Sequence, residues 1–243
     1  PLRNALAVCP DCAHIGTALV SVRMTAIPAS IDATLALLRD GGYVPDRALA
    51  DSGGAPIWGI NCQGQLTDGT PYGSAQNFHG GQGGRATLDG LDTLCFPSNC
   101  KVTPIEMFEL AVPILNERKE LIPDSAGAGK YRGGLGQRGV MRNISGREMN
   151  VYLSTEHVKH PCFGVLGGEP GRNGAVLLNG APVFAKGKLV LQPGDQLTVE
   201  LPGGGGWGVA GERPRELVEN DLRQGLVTVE GALVDYAYKQ GSV

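Results

Sequence analysis

With 243 residues, 42% of them hydrophobic and 19% charged, the chain has the composition of an ordinary globular protein that can bury a substantial core. A net charge of −3 gives no electrostatic grip on nucleic acid or on an anionic membrane. No run reaches the ~18 uninterrupted apolar residues of a membrane span, and Pro1-Leu2-Arg3-Asn4 opens no signal peptide. Six cysteines are too few for a disulfide scaffold at this length, which points to reduced thiols and a cytoplasmic location. Glycine is the outlier, with 38 residues, roughly twice the usual share. The glycines lack a triplet period, which excludes collagen. They gather in short runs, as expected where a backbone turns sharply or comes close to something.

In chain order, residues 18–25 suit a strand, and Ser30 can cap a helix carrying Ile31, Leu35 and Leu38, stopped by Gly41-Gly42. A polar loop spans residues 46–54. Residues 57–64 and 72–78 flank Thr67-Asp68-Gly69, a hairpin signal. A first glycine loop follows from His79 to Arg85. Thr103-Pro104-Ile105-Glu106 reads as a helix start, with Thr103 as N-cap, Pro104 at the first helical position and Glu106 closing a capping box. Pro113 ends that helix, and a charged strand runs over residues 112–121. The richest glycine loop spans residues 123–136.

Beyond it the pattern is β: residues 140–144, 149–156, 175–178, 183–185, 188–191 and 196–201, with a turn at Asn179-Gly180. Residues 202–208 form a third glycine loop. A polar helix over 214–224 stops at Gly225, Thr228 caps a last short helix, and residues 236–238 read as a strand. The class expected is α+β, mostly β sheet with glycine-rich loops and a few short helices.

Three blocks carry a family resemblance. The first runs from Ser98 to Glu109 and contains Asn99 and Thr103-Pro104-Ile105-Glu106. The second is Asp124-Ser125-Ala126-Gly127-Ala128-Gly129-Lys130-Tyr131-Arg132-Gly133-Gly134-Leu135-Gly136. The third is Pro202-Gly203-Gly204-Gly205-Gly206-Trp207-Gly208, and residues 80–90 add a fourth stretch upstream. Together they resemble the hydantoinase B/oxoprolinase family over residues 55–238, with only a faint match over 1–54. The resemblance implies the C-terminal portion of a longer subunit, and cytoplasmic enzymes that use ATP to hydrolyse cyclic amides such as hydantoins and 5-oxoproline. It equally admits a related ketone carboxylase, or a non-catalytic scaffold. It further implies a hetero-oligomer with a hydantoinase A/oxoprolinase-type subunit that carries ATP and Mg. A divalent metal would lie in a part preceding this chain, since no His-x-x-Asp segment occurs here.

Gly129-Lys130 is not a phosphate loop: Asp124 holds the first glycine position and Tyr131 replaces the Ser/Thr that would meet Mg. Two functional readings stay open. Backbone N–H groups of the loop could form an anion-binding concavity, with Lys130 and Arg132 supplying charge, or Asp124 and Ser125 could orient a substrate amide. The plain alternative has the glycines serving tight turns while Arg132 pairs with Glu106 or Glu109. Trp207 could wall a pocket or fill the core, and His79 could touch substrate or be a structural histidine. Glu106 and Glu109 share a helix face and could hold a proton or a metal, or cap and pair locally. The candidate catalytic residues are therefore Asp124, Ser125, Arg132 and Glu106. The candidate substrate-binding residues are His79, Gly127, Gly129, Lys130, Gly133, Gly134 and Trp207. Cys9-x-x-Cys12 with His14 lacks a second pair for zinc, and His157, His160 and Cys162 sit in a loop, so no metal is assigned to this chain.

Overall fold

The computed structural model describes residues 53–54, 57–94, 102–184 and 186–238. The expected elements over 18–25 and 30–38, and the Cys9/Cys12 pair, lie outside them. Strands β1 (Ile57–Gln65) and β2 (Pro71–His79) form the expected antiparallel hairpin. Its turn is closed by local chemistry: the Asp68 carboxylate accepts the Thr70 N–H at 2.9 Å, and Gly69 takes φ +88°. Helix α1 (Ile105–Ala111) leads into β3 (Ile114–Leu121) and β4 (Gln137–Asn143). Then come β5 (Met149–Ser154), β6 (Ala175–Leu178), β7 (Ala181–Pro182), β8 (Gly187–Leu191) and β9 (Gln196–Glu200). A 3₁₀ turn (Ala210–Glu212) and helices α2 (Arg215–Gln224) and α3 (Val229–Tyr236) complete the order.

The strands make two antiparallel sheets, ordered β2-β1-β5-β8 and β3-β4-β9-β6-β7. Alternation places Trp58, Ile60 and Cys62 of β1, Met149, Val151 and Leu153 of β5, and Leu197 and Val199 of β9 in one shared core. The sheets therefore pack face to face as a sandwich. Phe78 crosses from one sheet to the other, and its ring lies where a Cβ on Gly139 would stand, 2.3 Å away. On the outer face of the second sheet the charges pair across strands. Arg138 sits between Glu120 and Glu200 at 3.0 and 2.8 Å, and Arg142 meets Glu117. Cys62 and Cys162 are buried free thiols, and burial pushes each up to about 12, so neither is a reactive thiolate.

The α+β, mostly sheet class expected from the sequence is the one observed. Asn179 and Gly180 both take positive φ, +51° and +81°, as a two-residue hairpin turn requires. Gly225 ends α2 at φ +70°, and the Thr228 hydroxyl caps α3 by accepting the Gly231 N–H at 3.0 Å. Three local expectations change. Helix α1 begins one residue late, so Pro104 occupies the N-cap and no side chain caps it. The strand expected at 183–185 is instead the two-residue β7. Residues 236–238 are no strand: Tyr236 ends α3, Ala237 turns left-handed at φ +50°, and both tyrosines pack on Val218, Val227 and Ala232. Their rings lie under Arg213 and Arg215 at 5.6 and 5.1 Å.

Candidate functional site

Beside the sandwich the glycine runs assemble into a second core made of backbone. The 203–206 segment runs through its middle. A Cβ on Gly203 would stand 2.1 Å from the Ser125 carbonyl oxygen, one on Gly204 2.0 Å from that of Gln82, one on Gly205 1.9 Å from that of Phe163, and one on Gly206 2.0 Å from that of Ala128. The fourth glycine thus returns to the neighbour of the first. That is the three-residue period of a polyproline II-like extended chain, in which only glycine fits at a crowded axis. The surrounding segments are glycine at the reciprocal contacts: Gly133 faces Gly204, Gly168 faces Gly206 and Gly171 faces Gly203. Hydrogen bonds tie the layers together, Gly204 N–H to Gly134 at 2.9 Å, Gly127 N–H to Gly204 at 2.8 Å, Gly84 N–H to Gly205 at 2.8 Å and Gly206 N–H to Glu169 at 2.8 Å. The glycines mark close approach between distant segments, and the three "loops" are one bundle.

Most of the N–H groups on which an anion-binding concavity would depend already have partners. The N–H groups of Gly127, Lys130, Tyr131, Gly133 and Gly134 donate to the carbonyls of Gly204, Gly208, Trp207, Gly127 and Gln82. Those of Arg132 and Leu135 donate to the carboxylates of Asp89 and Asp92, and that of Gly136 to the Ser125 hydroxyl. None of these donors is left to converge on an anion.

The signature side chains are equally occupied. Asp124, at φ +56°, is exposed and accepts the Thr228 N–H at 2.9 Å, joining the bundle to the start of α3. A Cβ on Gly231 would meet its carboxylate at 2.4 Å, which explains a glycine inside that helix. Ser125 is fully buried, donating to the Ile122 carbonyl at 2.6 Å and accepting from Gly136 at 2.8 Å. Arg132 pairs with neither Glu106 nor Glu109. Its Nε meets Asp221 at 3.2 Å, and its Nη1 meets Asp92 at 3.3 Å and the Gly133 carbonyl at 2.8 Å.

Arg213 completes this buried network. It makes a forked contact with both Asp89 oxygens at 2.7 and 2.8 Å and reaches Asp221 at 2.6 Å, with its side chain fully enclosed. Burial works against its charge, but the hydrogen bonds and charges of Asp89 and Asp221 outweigh that and hold the guanidinium above its ordinary value. Burial pushes the neighbouring Tyr236 phenol up to about 12, with Arg213 pulling the other way. Asp89, Asp92, Arg213 and Asp221 escaped sequence reading. The available hint was Asp89-Gly90 in the upstream block; Asp221 looked like one more polar residue of a polar helix.

The remaining expected residues scatter. Lys130 is part-exposed and pairs with Glu212 at 3.5 Å. Trp207 exchanges backbone hydrogen bonds with Tyr131, and the two rings sit 6.0 Å apart. Gly129 fits against the Trp207 backbone. Glu106 stands exposed on α1, and Glu109 accepts from Asn116 at 2.7 and 3.1 Å. Two of the expected residues keep a buried nitrogen with no partner among the described residues, Trp207 at Nε1 and the 3% exposed His79 at Nε2. Burial and then the charge of Lys119 depress the basicity of His79, while a bond to the Thr93 backbone acts in the opposite sense. Among the described residues no group of three or more His, Cys, Asp or Glu could hold a metal. His157 turns its Nδ1 to the His160 carbonyl at 2.9 Å. The described residues thus offer no set of ligands that fits a metal.

A glycine bundle held by Arg–Asp pairs to helix α2 and to the 89–92 segment is the arrangement the signature encodes. The chain belongs to the hydantoinase B/oxoprolinase family, whose model matches residues 12–210. It is 33% identical over 169 residues to the beta chain of the caprolactamase of Pseudomonas jessenii, an overlap of 64% of this chain and 29% of that one. It is 32% identical over 155 residues to 5-oxoprolinase 1 of Arabidopsis thaliana, covering 60% of this chain and 12% of that protein. The solved ATP-dependent caprolactamase of Pseudomonas jessenii superposes with a TM-score of 0.72 at 25% identity, over 90% of this chain and 40% of the other. The chain therefore spans well under half the length of these relatives. No helix among the described residues is long and apolar enough to cross a membrane.

Proposed function

We propose that this chain is the C-terminal scaffold region of a subunit of an ATP-dependent cyclic-amide hydrolase, acting with a hydantoinase A-type partner that binds ATP and Mg. The observation that carries the reading is the family match over residues 12–210, joined to the superposition on an ATP-dependent caprolactamase. An unstrained lactam amide resists water, and ATP supplies the driving force by activating its oxygen as a leaving group. This reading assigns the phosphate chemistry and any catalytic metal to other parts of the assembly, because most of the signature loop's donors already have partners and the described residues gather no metal ligands. In this reading Asp124, Ser125 and Arg132 act by position: they hold the bundle rigid beside the sandwich, so that segment 79–92 is presented in one conformation. His79 and Trp207 are the expected substrate-contacting residues that keep an open polar atom.

The test is phosphate release by the full-length subunit co-purified with its partner, in the presence of caprolactam, hydantoin or 5-oxoproline. The expected result is ATP hydrolysis that depends on one of these cyclic amides, with none from this chain alone. ATP turnover by the pair that no cyclic amide stimulates, or robust hydrolysis by the isolated chain, overturns the reading.

A further inference from the structure

A glycine inside a strand weakens it, because it adds freedom to the unfolded backbone and no side chain to the sheet. Two glycines of the first sheet have no internal reason to be glycine. Gly59 lies between the core residues Trp58 and Ile60 of β1, and Gly73 precedes Ser74, whose strand partner is the core residue Cys62. Alternation therefore turns both to the outer face. A Cβ on Gly59 would meet nothing nearer than 3.9 Å, and one on Gly73 nothing nearer than 3.7 Å. Neither takes positive φ. The β1–β2 register runs unbroken from Ile57 opposite His79 to Gln65 opposite Pro71, so no bulge calls for them. This is the reverse of the bundle, where a carbonyl stands against each glycine of the 203–206 segment. The remaining cause of a strand glycine is close approach by something outside the sheet.

The rest of the face agrees. Ala75, opposite Asn61, lies in the row between Gly73 and Gly59, so small residues make a low path across β2 and β1. Beside it stand the carboxamides of Asn61, Gln63, Gln65, Asn77 and Asn150, and Tyr152 lies beyond them, 37% exposed. None of these residues carries a charge. The outer face of the second sheet is different, with Arg138 between Glu120 and Glu200 and Arg142 on Glu117. Toward the hairpin end the first face deepens into a hollow of about 470 Å³, whose lining includes Gln63, Gln65, Pro71, Arg147, Glu148 and Asn150. Depletion of charge marks the centre of a protein interface, and a carboxamide offers the same N–H and C=O as a peptide group. We propose that this face docks another region of the same longer subunit. That region lays an uncharged stretch of backbone over Gly73, Ala75 and Gly59 and hydrogen-bonds it to the flanking amides. Relatives carry the chain length for it: the overlap is only 40% of the solved caprolactamase chain, which leaves most of that subunit to pack elsewhere. The inference rests on the reading of this chain as one region of a longer subunit.

The test is the sign of one substitution in two settings. Gly73→Val adds a side chain that the sheet has room for and that strands favour, so the urea midpoint of the 243-residue chain should rise. In the full-length subunit the same side chain holds the docked backbone away, and the midpoint for this region should fall. Any result but that opposition overturns the proposal, whether a rise in both, which leaves the face open, or a fall in the chain alone, which gives Gly73 an internal role. Hydroxyl-radical footprinting of the wild type needs no variant to fold. Tyr152 should be oxidised in the chain alone and lose most of that oxidation in the full-length subunit. Equal oxidation in the two overturns the docking. Protection of Tyr152 in the chain alone, with a dimer in sedimentation, would give the face to a second copy and overturn the assignment as well. Neither readout uses turnover. Protected Tyr152 in a subunit without cyclic-amide-dependent ATP hydrolysis would remove the proposed function alone; oxidised Tyr152 in an active one would remove this inference alone.

Discussion

Gly204→Ala is expected to leave little folded protein, and it is the single substitution with the largest effect. Its new Cβ would stand 2.0 Å from the Gln82 carbonyl oxygen, 2.4 Å from the carbonyl carbon and 2.8 Å from the Gly83 nitrogen. All three are backbone atoms, so no rotamer change relieves the clash. The same residue donates to Gly134 and accepts from Gly127, so moving it breaks bonds to two segments at once. Overpacking a tight interior costs about 1–3 kcal/mol where side chains can adjust. Here they cannot, and at least ~3 kcal/mol is a large part of a typical domain's ~5–15 kcal/mol. Gly211→Ala is the matched control, since nothing lies within 4 Å of its Cβ position. Urea unfolding of the two variants checks the contrast: similar midpoints would show that the bundle is looser than described.

Asp221→Ala is the second large effect. Asp221 is 2% exposed and receives both Arg132 and Arg213, so its removal strands two guanidinium groups against one another in the interior. Breaking a buried pair by deleting one partner typically costs about 3–5 kcal/mol. Arg213 keeps its fork to Asp89 and Arg132 keeps Asp92, which places the expected loss toward the lower end. The exposed Arg215–Glu219 pair on the same helix, at 49% and 45% side-chain exposure, should contribute far less, because water screens it. Urea unfolding should therefore separate Asp221→Ala from Glu219→Ala clearly. Equal midpoints would mean that the network is solvated and contributes nothing beyond a surface pair.

These two sites show where sequence reading succeeded and where it could not. Features set by neighbours in the chain were legible: the Asp68-Gly69 hairpin, the Asn179-Gly180 turn, the Gly225 stop and the Thr228 cap each follow from one residue's own conformational preference or hydrogen bond. The family itself was legible through the resemblance of whole blocks, residues 124–136 above all, to its signature. The reason for those glycines was not, because each contact joins remote segments, as when Gly204 meets Gln82 and Gly205 meets Phe163. Residue type also misleads when partners are distant. Arg132 and Ser125 look like catalytic chemistry in a one-dimensional string, yet Arg132 finds its acids 40 and 89 positions away, and Ser125 closes on the backbone at positions 122 and 136.

The most direct measurement compares turnover and melting temperature for Arg132→Ala in the assembled enzyme. If the signature arginine works through the buried Asp92–Asp221 network, the melting temperature falls, and activity per folded molecule at permissive temperature stays near that of the wild type. Loss of turnover with an unchanged melting temperature would contradict this and return Arg132 to the chemistry.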